Sequence, residues 1–162
     1  MIKIIPYLAY LFLIAFYQVI LLQPMAILGV TVDLAGLIVL LVALYKSELI
    51  SLWFGFAVGL VIAAGDPRIM GWQALILGAL GMGAFHARQR FNLDTMWSRV
   101  LIVSAGVIAH LWLSILVEGG NDFLFRAAVY GLPGAVYTVF WGWLFLLVKE
   151  RRITYQTVRE LF

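Results

Sequence analysis

The run Ala127-Ala128-Val129-Tyr130-Gly131-Leu132-Pro133-Gly134-Ala135-Val136-Tyr137-Thr138-Val139-Phe140-Trp141-Gly142-Trp143-Leu144-Phe145-Leu146-Leu147-Val148 holds 22 residues without a charge, bounded by Arg126 and Lys149. At 1.5 Å rise per residue, about 20 apolar residues carry a helix across the roughly 30 Å hydrocarbon layer of a bilayer. Working outward, the other charge-free gaps are 29 residues (Lys3 to Asp33), 12 (Asp33 to Lys46), 17 (Glu48 to Asp66), 19 (Arg68 to Arg88) and 18 (Arg99 to Glu118). Five of the six meet or approach the spanning length, and the 12-residue gap does so if Asp33 sits at the interface. The expected spans are 4–23, 29–45, 49–65, 69–87, 99–117 and 127–148, with a short cytoplasmic tail over 149–162. The 162 residues are 65% hydrophobic and 12% charged, against about 45–50% and about 25% in a soluble domain. Water-soluble enzyme folds are thereby excluded. The expectation is an all-α, polytopic membrane protein with six transmembrane helices in a single integral membrane domain.

Segments such as Leu37 to Leu44 are apolar on consecutive residues, which suits a helix and not a β-barrel strand. The first span is too long for a signal peptide's apolar region and lacks a small-x-small cleavage site, so a retained anchor is expected. Lys and Arg decide the orientation. Nine of them (Lys3, Lys46, Arg88, Arg90, Arg99, Lys149, Arg151, Arg152 and Arg159) fall on one side of the six spans. Only Arg68 and Arg126 fall on the other, and the positive-inside rule then puts both termini in the cytoplasm. A net charge of +3 and a pI near 9.4 follow from that topology and do not call for a nucleic-acid partner. With no cysteine there are no disulfides, thiolate metal sites or cysteine nucleophiles.

Without a hydrophobic force between helices in lipid, small residues drive their packing. Gly55, Gly59 and Ala63 stand four apart on the third span, and Gly134, Thr138 and Gly142 repeat that step on the sixth. These stripes are either contacts within the bundle or a groove for a partner's transmembrane helix. On the fifth span Gly106, His110 and Ser114 form a narrow polar stripe that should face protein. A neutral His110 hydrogen-bonded across helices is the expected state, ahead of a proton relay. Arg88 and Arg90, with Arg151 and Arg152 in the tail, are the expected basic contacts at the inner face, where anionic membrane lipids meet them. No second histidine or carboxylate accompanies either histidine at ligand spacing, so neither a metal nor a cofactor is expected. Ser114 and His110 stand at i, i+4, yet nothing nearby can form an oxyanion hole, and no catalytic residue is assigned.

The order of Val32-Asp33-Leu34, Gly55-Phe56-Ala57-Val58-Gly59, Gly71-Trp72-Gln73-Ala74-Leu75 and Phe140-Trp141-Gly142-Trp143-Leu144-Phe145-Leu146-Leu147 before Lys149 resembles the rod-shape-determining protein MreD family over nearly the whole chain. Two positions depart from the family's pattern: Val32 stands where a proline often precedes the aspartate, and Ala63 where an acid is common. The resemblance implies a non-catalytic member of the bacterial cell-elongation machinery in the inner membrane. Its implied partners are the transmembrane region of MreC, the MreB filament, and the glycosyltransferase and transpeptidase that build peptidoglycan. The family's helix arrangement is similar to the substrate-binding subunits of energy-coupling-factor transporters, so a solute-binding subunit of a vitamin transporter is the alternative function.

Overall fold

The computed structural model describes residues 4–24, 26, 30–91, 95–119 and 122–159, which contain no β-strand. Helix α1 (Ile5–Phe16) runs directly into a π-helical turn, Tyr17–Leu21. Then come α2 (Leu34–Tyr45), α3 (Glu48–Ile62), α4 (Pro67–Arg90) and α5 (Met96–Glu118). The short α6 (Phe123–Arg126) passes through a second π-helical turn, Ala127–Gly131, into α7 (Leu132–Arg159). Both π turns lie just before a proline, Pro24 or Pro133. Proline lacks the N–H for the i−4 carbonyl and its ring crowds that turn, so a locally widened helix relieves the clash.

Among the described residues, three helical stretches are long and apolar enough to cross a membrane: Pro67–Arg90, Met96–Glu118 and Phe123–Lys149. The other three, Ile5–Leu21, Leu34–Tyr45 and Glu48–Ile62, are apolar but shorter. Local chemistry sets those lengths. Helix α2 starts at Leu34, five residues later than the expected span, because the Asp33 carboxylate accepts the Gly36 N–H and acts as N-cap. Asp66 caps α4 in the same way through the Arg68 N–H, with Pro67 in the first turn, and this ends the α3 span at Ile62. At its other end α5 stops at Gly119, whose φ of 73° suits glycine. The basic tail continues α7 to Arg159.

Helix α2 is the axis of the bundle. Nine of its twelve residues are buried, and α3, α4, α5 and α7 all pack on it. A helix that is apolar all round is stable only when enclosed in this way. Around it the order is α1, α3, α4, α5, α7, with α3 and α4 forming the closest pair. One cluster of buried side chains joins α1, α2, α3 and α4 through Ile14, Val39, Phe54 and Leu77, and a second joins α2, α5 and α7 through Leu40, Val107 and Ala135.

Candidate functional site

Two features distinguish the bundle: a buried polar cluster at the start of α2 and an open apolar groove between α4 and α5.

The cluster is built from four elements. Asp33 uses Oδ1 for the Gly36 N–H at 2.9 Å and Oδ2 for His110 Nδ1 at 2.5 Å. Their side chains are 7% and 5% exposed. A carboxylate can only accept, so the imidazole Nδ1–H donates, which leaves Nε2 buried and without a partner among the described residues. The Asp33 N–H donates to Thr138 Oγ1 at 2.8 Å, and that hydroxyl donates to the Gly134 carbonyl at 2.7 Å. Tyr17, in the first π turn, donates its hydroxyl to the Val32 carbonyl at 3.0 Å. Thus the π turn after α1 and Thr138 on α7 satisfy the irregular backbone that leads into α2, while α5 binds the Asp33 carboxylate. Gly36 is required here for space: a methyl group would collide with the Asp33 carboxylate and stand 2.9 Å from His110 Nδ1.

From Tyr45 to Asp33 the rise is about 18 Å, so a bilayer whose hydrocarbon layer begins at Tyr45 would enclose the pair. An ionisable group at that depth is costly unless paired. Asp33 was expected at the interface, where it would complete a short span. It is also the cross-helix partner of His110, a pairing for which two costly ionisable groups in one small chain are the signal.

The structure separates the other candidates. Ser114 donates to Gln73 Oε1 on α4 at 3.3 Å and not to His110, while Ser104 turns back to the Val100 carbonyl. Gly106 packs on the Leu40 side chain and Gly142 on Leu37, whereas a Cβ added at Gly134 would make only ordinary contact, 3.6 Å from the Thr31 carbonyl oxygen. Gly55 and Gly59 lie against the α4 backbone at Leu77, Gln73 and Ala74, closely enough that any side chain would collide, and Ala63 is buried at the end of α3. This stripe is an internal contact. Arg88 also faces inward: its guanidinium donates to the Ala43 and Leu44 carbonyls at 3.3 and 2.8 Å and so caps the C-terminal end of α2. Arg90 is exposed at the end of α4. The side chains of Arg151 and Arg152 lie outside the described residues.

The groove occupies the other face of α4. Its volume is about 790 Å³. Small residues Ala79, Gly83, Ala84, Ala87, Ala105 and Gly106 lie along it over a floor at Leu40, with Trp72, Leu75, Leu101 and Leu113 as exposed walls. Nothing lies within 4 Å of where a Cβ on Gly83 would stand. From Trp72 to Phe91 on α4, and from Ser98 to Leu113 on α5, the rise is about 28 and 22 Å, close to a full hydrocarbon layer. Compared with known protein families, curated proteins and solved structures, the chain matches none of them.

Proposed function

We propose that this chain is a non-catalytic, multi-pass scaffold of the bacterial cell-elongation machinery. In this reading it crosses the inner membrane six times with both termini in the cytoplasm. It holds the transmembrane helix of MreC in the α4/α5 groove and touches MreB and the wall-building glycosyltransferase and transpeptidase. The resemblance of its ordered motifs to the MreD family supports the identity of the partners. The groove carries the mode of action: nearly membrane-deep, apolar and lined by small residues, it fits the way helices associate in lipid, where close backbone approach replaces the hydrophobic effect.

The shortness of α2 is compatible with six crossings. Irregular backbone is tolerated at membrane depth where protein buries it, and the Val32 carbonyl and Asp33 N–H are satisfied by Tyr17 and Thr138. The Asp33–His110 pair serves as a pin that fixes α2 against α5 in one register. Neither serine hydroxyl near it is directed at the imidazole.

Affinity purification in mild detergent, with identification of what accompanies the chain, tests this function. MreC is the expected companion. A bundle that purifies without MreC and is thermally stabilised by a water-soluble vitamin would point to the solute-binding alternative.

A further inference from the structure

A second cleft, of about 930 Å³, opens between α1 and α7 and is floored by α2. Helix α1 packs on α3 and α2, while α7 packs on α5 and α2, so the ring of helices is open here. Three properties of the cleft point to one occupant.

The first is depth. The lining residues run from Pro6 to Tyr17 on α1, from Leu34 to Tyr45 on α2 and from Trp141 to Lys149 on α7. These rises are about 12–16 Å, half of the roughly 30 Å hydrocarbon thickness. The upper limit is set by Tyr17, whose hydroxyl is tied to the Val32 carbonyl. A transmembrane helix needs twice that length, whereas one leaflet's acyl chains need about this much.

The second is charge. Lys46 and Lys149 line the basic end of the cleft, and among the described residues no carboxylate lies within ion-pair distance of either. Lys149 Nζ stands 3.1 Å from the centre of the Tyr45 ring, and both Arg99 and Lys46 are near enough to repel it. Cations gathered at the mouth of an apolar slot are complementary to a phosphate. The third is the polarity gradient, since above Tyr45 the walls are apolar side chains such as Leu41, Leu144 and Phe145.

We infer that the α1/α7 cleft is a binding site for one anionic phospholipid of the leaflet at the basic end of the bundle. Its phosphate lies between Lys46 and Lys149, and its acyl chains run along α2. This site is separate from the α4/α5 groove, and its failure would leave the scaffold reading untouched.

Purified protein in dodecyl maltoside, titrated with phosphatidylglycerol or phosphatidylcholine, provides the test. Phosphatidylglycerol should raise the unfolding temperature by several degrees through binding to the folded state, and phosphatidylcholine should not. The double variant Lys46→Gln with Lys149→Gln should lose that rise, while Arg68→Gln, which removes an exposed cation at the opposite end of the bundle, should keep it. Leu41→Trp fills the slot with the charges intact, and it should abolish the retained phosphatidylglycerol seen by native mass spectrometry of the wild type. An equal response to both lipids would overturn the inference. So would a phosphatidylglycerol response undiminished in the double variant, or lipid retained in Leu41→Trp. If the double variant does not fold, the Leu41→Trp and Arg68→Gln arms decide the matter.

Discussion

Helix α4 presents small residues on two faces, and the two have opposite fates. Toward α3, Ala74, Gly78 and Gly81 meet Gly59, Gly55 and Ser51 so closely that the backbones nearly touch; a Cβ on Gly81 would stand 2.5 Å from the Ser51 carbonyl oxygen. Toward α5, Ala79, Gly83 and Ala87 line open space. In water the open face would be unremarkable, because apolar contact alone could hold helices together there. In lipid that driving force is absent, and small residues matter only where another helix can approach. The closed face therefore holds α3 and α4 together, and the open face is where the proposed partner would pack.

This contrast can be broken at several points. The largest effect is expected from Gly59→Leu. Its side chain would be driven into the α4 backbone at Gln73 and Ala74, at a cost above the roughly 3 kcal/mol upper end usual for overpacked cores. Little folded protein should survive extraction, as measured by size-exclusion chromatography and thermal unfolding in detergent. A normally folded Gly59→Leu variant would mean that α3 and α4 are not paired as described.

Next in size is Gly36→Ala, which forces the Asp33 carboxylate away from His110 and should cost about 1–3 kcal/mol. The same methyl group added at Gly83 meets nothing and should cost less than about 0.5 kcal/mol. Equal losses at the two positions would contradict the distinction between interior and groove. Arg88→Ala removes the charged cap from the Ala43 and Leu44 carbonyls, and a loss of about 1.5–3 kcal/mol is expected in the same unfolding assay. An unchanged midpoint would assign Arg88 to the membrane surface instead. The smallest effect on stability, and the sharpest on function, belongs to Gly83→Leu. It should leave unfolding within about 0.5 kcal/mol of wild type while removing MreC from affinity purifications.

The sequence pattern reached the helical class and the apolar segments, because runs of uncharged residues are set by composition alone. Helix ends were less legible. Asp33 reads as an interfacial acid, and its second role as a buried cap tied to His110 and Thr138 depends on where two distant helices pass. The stripe of Gly55, Gly59 and Ala63 was readable as a packing face, but which helix fills it depends on how α4 folds back. Gly83 carried no signal that its surroundings were empty, since an open face and a packed one use the same small residues. Arg88 looked like a surface cation because sequence cannot show that the last carbonyls of α2 end beside it.

The central claim concerns what occupies the open face of α4, and site-specific photo-crosslinking in cells addresses it most directly. A photoreactive residue placed at Ala79 or Leu101, on opposite sides of the groove, should crosslink to MreC, whereas one at the exposed Trp53 on α3 should not. Crosslinks to MreC from Trp53 with none from the two groove positions would contradict the account.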